Sequence, residues 1–391
     1  MSDAIRGQRP ATRLAHAGRD PKAQYGFVNT PVYRGSTVLF PDVETLKSGG
    51  QPYTYGRRGS PTVRGLEEAI AELEGGARTI LVPSGLSAVT SAILALVEAG
   101  DHILVTDSVY RPTRIFCDMV LTRLGVETEY YDPLVGGEIS GLIRDNTRLV
   151  FTETPGSQTF EIQDISAIAG AAKLRGAFTL IDNTWASPLY FKPFDHGADV
   201  SIQAATKYIV GHSDAMLGSV TTTEALAEQL IQNIQTLGNC AGSEEVYLGQ
   251  RGFRTMDVRL ARHWESGLTV ARWLEGREEV ARVLHPALPS HPQHDLWKRD
   301  FLGASGLFSI LLHDVPDRAV TAMLDDLTLF GMGFSWGGFE SLIVPFDPTP
   351  YRTATTWDHI GPCLRFHIGL EDPDDLISDL DTGFARMAAA A

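Results

Sequence analysis

The stretch Asp199–Asp214, DVSIQAATKYIVGHSD, sets a lysine in an unusual place. Val200 and Ile202 are β-branched and apolar, in a short run that reads as a buried strand. The run ends at Thr206–Lys207 and enters a Gly/His/Ser segment where no apolar period survives. A lysine at the end of a core strand either snorkels to solvent or loses its proton, because burial disfavours the ammonium and leaves a nucleophile. Upstream, Ala177–Ala186 reads as a second apolar strand that ends in a carboxylate, Asp182, 25 positions before Lys207. In α/β sheets, ligands sit beyond the carboxyl ends of strands. Alone, Asp182 would serve as an Asx-turn or a helix cap before Asn183–Thr184. Paired with Lys207 it meets another need. A Schiff-base lysine with an Asp partner for a pyridinium nitrogen is what pyridoxal phosphate chemistry requires.

A phosphate needs its own cradle. Thr79–Val82 reads as a strand, and Pro83–Ser87 turns into a helical pattern with Leu86, Val89, Ile93, Leu96 and Val97 on one face, closed by Gly100. Ser84–Gly85 therefore opens a helix directly after a strand. Free N–H groups and the positive dipole end favour an anion there, and glycine lets the backbone approach it. Serine is also a common cap with no ligand at all. Tyr55 and Arg57, in Tyr53–Arg58, offer a hydroxyl and a two-donor guanidinium. The same stretch also reads as a surface turn with solvated arginines.

The elements that must position these groups alternate. Residues 1–59 are rich in Arg, Gly and Pro, show little sustained periodicity, and read as an arm that packs on a neighbouring subunit. Ser60–Pro61 starts a clear helix that Gly75–Gly76 stops. Short apolar runs follow at Ile103–Thr106, Leu149–Thr152, Phe178–Ile181 and Val200–Ile202, with helical stretches between several of them. That alternation implies an α/β unit with a mostly parallel sheet, assigned to residues 60–250. Residues 224–280 read as long helices, including Val258–Trp273. Beyond Pro286 the pattern turns α+β, with strands at Gly306–Leu312, Leu342–Val344 and Cys363–Ile368 and a helix at Arg318–Leu327. This is the smaller C-terminal domain, 251–391. The tail Ala388–Ala391 reads as a frayed end.

Composition narrows the class. The chain has 391 residues, 43% hydrophobic and 21% charged, which is ordinary for a globular protein. A formal net charge of −15 argues against nucleic-acid binding, which needs basic patches. Cys117, Cys240 and Cys363 form neither a paired framework nor a metal-ligand spacing, so a reducing cytoplasm is expected. His212, His263 and His367 lack ligand spacing, and no metal is expected. Met1–Arg6 has no apolar leader run, and nothing approaches the roughly 20 apolar residues of a membrane span.

Tyr55/Arg57, Ser84-Gly85-Leu86, Tyr110, Asp182 and Thr206-Lys207 together resemble the Cys/Met-metabolism group of pyridoxal phosphate enzymes. The resemblance runs from about Thr30 to Met387. It is strongest in IDNTWA from Ile181, SIQAATKYIVGHSDAM from Ser201, and SWGGFESLI from Ser335. It implies the aspartate-aminotransferase fold type I. It also implies pyridoxal 5'-phosphate held by Tyr55, Arg57, Gly85, Leu86, Tyr110, Asp182, Thr206 and Lys207. Several members carry Ser three residues before the lysine, where this chain has Ala204. Many carry Asn after the Glu-x-Pro turn, where it reads Glu153-Thr-Pro-Gly-Ser157-Gln158. Both departures, and Trp336-Gly-Gly, are similar to the β-eliminating branch.

The implied reaction is α,β-elimination of L-cystathionine to homocysteine, pyruvate and ammonia, a step of methionine biosynthesis. Lys207 would be the base, Asp182 would keep the ring electrophilic, and Tyr110 would stack on it with a phenol as a further proton acceptor. Tyr110 also reads as a surface aromatic at a turn. Arg365, between Leu364 and Phe366 on an apolar strand, needs an anion: the substrate α-carboxylate or an internal carboxylate. Ser335 and Trp336 would complete the substrate site. Tyr55 and Arg57 would reach a neighbouring subunit's site, giving a homotetramer of active dimers. A cystine or cysteine desulfhydrase, or a γ-synthase or γ-lyase, remains the alternative, and a non-catalytic scaffold is a third.

Overall fold

The chain builds two sheets. In the computed structural model, residues 7–391 are described, so the reading of Met1–Arg6 lies outside it. The larger sheet has β1 (Arg78–Val82), β2 (His102–Thr106), β3 (Glu127–Tyr131), β4 (Thr147–Glu153), β5 (Phe178–Asp182), β6 (Val200–Gln203) and β7 (Gly218–Thr222). Their order is β1-β7-β6-β5-β4-β2-β3. The pairs β3/β2, β2/β4, β4/β5 and β5/β6 are parallel, and β7 runs antiparallel to both β6 and β1. The central strands are apolar without alternation because both faces are covered, and β2 is buried along its whole length. On one face Ile80, Val105, Phe151 and Val220 pack with Val89, Ile93 and Leu230 of the flanking helices. On the other, Leu104 and Val150 meet Ile139 and Ile168.

Helix Pro61–Glu74 starts where Ser60 caps it, its hydroxyl accepting from the Val63 N–H. Helix Gly85–Leu96 is capped by Ser84, whose Oγ takes the Ser87 N–H at 3.1 Å; such a cap contributes about 1 kcal/mol. The helix stops earlier than its apolar period suggested. Val97 is already extended, and Asp101 caps the Glu98 N–H at 2.8 Å, so a turn forms before Gly100.

Residues 224–280 form three helices, Glu224–Thr236, Ser243–Arg254 and Met256–Glu275, and then enter a strand. That strand is β8 (Val280–Leu284), which with β9 (Leu307–Leu312), β10 (Leu342–Phe346) and β11 (Cys363–His367) makes an antiparallel sheet in the order β10-β11-β9-β8. Its core joins Phe308, Ile310, Leu364 and Phe366 to Leu376, Leu380 and Phe384 of the C-terminal helix Pro373–Ala390. The tail expected to fray is therefore helical through Ala390. Arg318 fastens it, donating to the Ala390 and Ala391 carbonyls at 2.9 Å each.

The strands unread in sequence were β3, β7 and β8. β3 is an edge strand, Glu-Thr-Glu-Tyr-Tyr, whose acids pair with Arg144 in solvent rather than with a core. β8 buries Val280, Val283 and Leu284 and exposes Ala281 and Arg282, where its register shifts against β9. Residues 7–59 carry two short α-helices, Pro10–His16 and Val43–Ser48, and one 3-10 turn, Gly56–Arg58. Only Leu14, Ala17 and Thr30 of this stretch are buried.

Candidate active site

Asp182 and Lys207 meet at the carboxyl ends of neighbouring strands. Asp182 is the last residue of β5 and lies opposite Ile202 of β6. Its Oδ1 accepts from the Thr184 N–H at 3.0 Å and the Thr184 hydroxyl at 2.5 Å. The Asx-turn is therefore real, and it consumes one oxygen. Among the described residues no hydrogen bond goes to Oδ2. The Thr184 hydroxyl in turn accepts from the Ala204 N–H at 2.8 Å, so the carboxylate is tied to the turn that carries Lys207. That turn closes through Lys207 N–H to Ala204 O at 2.9 Å and Gly211 N–H to Lys207 O at 2.7 Å.

Burial is the main perturbation of both groups. It brings Lys207 down to about 8, with Arg365 pushing the same way and Asp182 opposing. It raises Asp182 to about 6, against the Thr184 hydrogen bonds and the Lys207 charge. The lysine is thus close to supplying a neutral amine at ordinary pH.

A Gly-rich loop covers the lysine. Lys207 Nζ donates to Ser335 Oγ at 2.8 Å and lies 5.2 Å from the centroid of the Trp336 ring. Gly337 has φ +87°, and a Cβ there would sit 2.9 Å from the Lys207 carbonyl carbon, so only glycine allows this approach. His367, unread as a site residue in sequence, anchors the loop by accepting the Gly337 N–H on Nε2 at 3.0 Å. Burial, foremost, holds its pKa well below the ordinary value and keeps it a neutral acceptor. Two residues earlier on β11, Arg365 reaches the same loop. Its Nη2 donates to Phe334 O at 2.9 Å, while its buried Nε has no partner among the described residues. Burial lowers its pKa to about 10, so it stays charged.

Tyr110 opens helix Arg111–Phe116. Its backbone N–H donates to Glu153 Oε2 at 2.7 Å. Its pKa is raised by burial first, then by Glu153 and Asp182, with Arg365 opposing. Glu153 was also missed as a site residue. It ends β4 directly opposite Asp182, and desolvation followed by the Asp182 charge raises its pKa well above the carboxylate range. The strand-end rule that singled out Asp182 applies equally to Glu153, and that signal was in the sequence.

Helix Gly85–Leu96 points its start at the lysine turn: a Cβ on Gly85 would lie 2.4 Å from the Ala204 Cβ. The Gly85 and Leu86 N–H groups have no partner among the described residues, which leaves two donors at a helix N-terminus beside Lys207. Thr206 stands here too, its hydroxyl donating to Leu217 O at 3.1 Å and accepting the Leu217 N–H at 2.9 Å. Tyr55 and Arg57 are elsewhere within the chain. Tyr55 precedes and Arg57 lies in the turn Gly56–Arg58, and Arg57 Nη1 donates to Gln235 O at 2.6 Å at the end of helix Glu224–Thr236.

Known proteins are similar to this chain over nearly all of its length. The family described as Cys/Met metabolism PLP-dependent enzyme matches residues 11–385. A putative cystathionine beta-lyase of Rhizobium johnstonii is 54% identical over 385 residues, covering 97% of this chain and 96% of the relative. The cystathionine beta-lyase MetC of Escherichia coli is 46% identical, covering 96% and 98%. Among solved structures, cystathionine gamma synthase from Xanthomonas oryzae pv. oryzae, in complex with aminoacrylate and cysteine, superposes with a TM-score of 0.90. It is 32% identical and covers 98% of this chain and 100% of that one. With a match over 11–385 and relatives this similar from end to end, the chain belongs to the Cys/Met metabolism family of PLP-dependent enzymes.

Proposed function

We propose that this protein is a carbon–sulfur β-lyase that eliminates homocysteine from L-cystathionine and yields pyruvate and ammonia. The observation that carries the reading is the Trp336 ring 5.2 Å from Lys207 Nζ, in a chain whose relatives include beta-lyases at 54% and 46% identity. The residues present fit pyridoxal 5'-phosphate. Lys207 is a desolvated amine, Asp182 keeps one carboxylate oxygen unengaged, and the Gly85 and Leu86 N–H groups are free at a helix start that a Cβ would fill. Bound there, that cofactor supplies the electron sink for the pair left when the substrate Cα–H bond breaks.

Each residue then has a task. Arg365 presents its unpartnered Nε to the α-carboxylate, with the Phe334–Ser335 backbone beside it. Lys207 takes the Cα proton and hands a proton to the departing sulfur. Ser335 orients the lysine amine through its hydroxyl. Trp336 walls off water on the side it packs. Asp182 offers its carboxylate to the ring nitrogen, while the Glu153 carboxyl stays protonated and adds no second charge. Tyr110 presents its ring face, and its raised pKa keeps the phenol protonated, so in this reading it donates a proton rather than accepting one as the sequence had suggested.

Tyr55 and Arg57 serve a neighbouring subunit in this reading, Thr206 and Leu86 flank the phosphate, and the assembly is a cytoplasmic homotetramer of active dimers. Support comes from the exposed arm 7–59 and from Arg57 bonding to the Gln235 carbonyl rather than to any residue of the lysine turn. The arm, residues 60–250 and residues 251–391 are the three units of that assembly. Among the described residues no helix is long and apolar enough to cross a membrane.

The likeness to a gamma synthase favours one second reading, cleavage at Cγ. Holoenzyme incubated with L-cystathionine separates the two. Pyruvate with homocysteine is expected, and 2-oxobutanoate with cysteine would establish the γ reaction instead.

A further inference from the structure

Asp107 lies outside the site, yet it is the most heavily bonded carboxylate near it. It follows β2, is 0% exposed, and stands three residues before Tyr110. Both of its oxygens are filled by one segment from the other half of the molecule. Oδ1 accepts the Thr353 N–H at 3.0 Å and the Thr353 hydroxyl at 3.3 Å. Oδ2 accepts the Thr355 N–H at 2.8 Å and the Thr355 hydroxyl at 2.7 Å. Arg114 Nη2 completes the set with an ion pair to Oδ1 at 2.6 Å, and its Nη1 also reaches the Thr353 hydroxyl at 3.2 Å. Burial pushes the Asp107 carboxyl up, and these hydrogen bonds outweigh it, leaving a pKa below the ordinary value.

Thr353 and Thr355 belong to a strap, residues 347–362, that joins β10 to β11. The strap delivers Arg365 two residues into β11. It touches the large-sheet half at further points: Tyr351 hydroxyl to Gln158, Arg352 to Glu161 at 2.6 Å, and Arg111 over the Tyr351 ring at 5.6 Å. On the other side of Asp107 the backbone toward Tyr110 is held as firmly. Ser157 N–H donates to Ser108 O at 2.8 Å, and Tyr110 N–H to Glu153 at 2.7 Å. Asp107 is thus where the segment carrying Tyr110 and the segment carrying Arg365 are joined.

We propose that Asp107 is a positioning residue for the elimination: by gripping Thr353 and Thr355 it sets the Arg365 strand against the Tyr110 segment. The inference rests on the β-lyase reading for its chemistry. The substrate's α-carboxylate and its reacting Cα are held by different halves of the chain, so relative placement errors fall directly on the barrier. A carboxylate suits the task because it only accepts, and every group around it donates. An amide would turn an NH2 against a donor.

The test uses the holoenzyme. Asp107→Asn leaves Arg114 unpaired in a buried site, which can unfold the protein. Thr355→Val is the primary variant: it removes one donor from Asp107 Oδ2, leaves Asp107 and Arg114 intact, and also releases Arg352 Nη1, which donates to the same hydroxyl at 3.1 Å. Expected is faster amide exchange confined to residues 347–362, with kcat for pyruvate formation down about tenfold, a smaller change in KM and cofactor still bound. Thr355→Ser, which restores the hydroxyl, should recover both exchange protection and kcat. A Thr355→Val enzyme with wild-type kcat and KM would overturn the proposal, as would a Thr355→Ser enzyme no better than Thr355→Val. The wild-type control separates the two readings: if it forms no pyruvate the β-lyase assignment fails, while strap exchange and turnover of the substrate it does accept still judge the grip.

Discussion

Lys207 concentrates the chemistry because several charges act on one amine. Burial and Arg365 push its proton off, and Asp182 holds it on, with a balance near 8. In the apoenzyme, labelling of Lys207 by an amine-reactive anhydride, read by peptide mass, should rise as pH climbs through about 8. The neutral amine reacts and the ammonium does not. A midpoint near the ordinary lysine value would mean that the amine is solvated. Asp182→Asn should keep its cofactor and turn over at least a hundredfold more slowly, because an amide cannot hold the ring nitrogen protonated; about 3 kcal/mol of barrier is at stake. Near-native turnover would leave Asp182 only its turn with Thr184. Arg365→Ala should raise KM at least tenfold for every amino acid tested, with cofactor content unchanged. Since its Nη2 also holds the Phe334 carbonyl, loss of cofactor or of folded protein in that variant would assign Arg365 to the loop rather than to the substrate.

At the scale of elements, the site is a set of strand ends and one helix start. β4, β5 and β6 present Glu153, Asp182 and the Lys207 turn side by side, and parallel pairing makes their ends coincide. Helix Gly85–Leu96 closes the arrangement by bringing its first turn against Ala204. A methyl at Gly85 has no room, at 2.4 Å from the Ala204 Cβ and 2.9 Å from its Cα. Gly85→Ala should therefore displace either the helix start or the lysine turn, costing about 1–3 kcal/mol of stability by thermal unfolding. Cofactor affinity, measured by titrating apoenzyme, should weaken as well. Unchanged values for both would show that the contact relaxes without consequence. Ala204 gains a meaning here. A small side chain at that position is what allows the helix to approach.

For the whole molecule, the arm is the unsolved surface of a single chain. Tyr25 is 96% exposed, and Phe27, Val28, Leu39, Val43 and Leu46 are also largely in solvent. Apolar side chains in such number along one segment call for a covering partner. The reading in which Tyr55 and Arg57 complete a neighbour's site makes a sharp prediction. Arg57→Ala and Lys207→Ala, each inactive alone, should regain activity when their subunits exchange, because one site of each mixed dimer inherits neither defect. About a quarter of wild-type activity is the ceiling for random mixing, since half of the dimers are mixed and each of those has one intact site of two. Exchange proven by mass with no activity regained would put Arg57 in its own subunit's site or outside any site.

What residue types alone determined is local. Apolar runs ending in Asp182 and Lys207, a Ser-Gly helix start after a strand, and the Ser60–Pro61 start were legible because each depends on neighbours within one turn or one strand. The parallel character of the main sheet followed from alternation of elements. Edge strand β3 was not legible, since a strand solvated on its outer edge needs no apolar pattern. The same holds for the antiparallel β7, whose direction is a matter of connection. Tertiary structure alone decided which distant groups share a space. It put Ser335 and Trp336 over Lys207, neutral His367 behind Gly337, and Glu153 beside Asp182. It also fastened residues 353–355 to Asp107 across 246 and 248 positions of chain. The reason is physical. A hydrogen bond or a desolvated charge gains its energy from whatever surrounds it in space, and sequence separation carries no information about that until the sheet orders and loop closures are known.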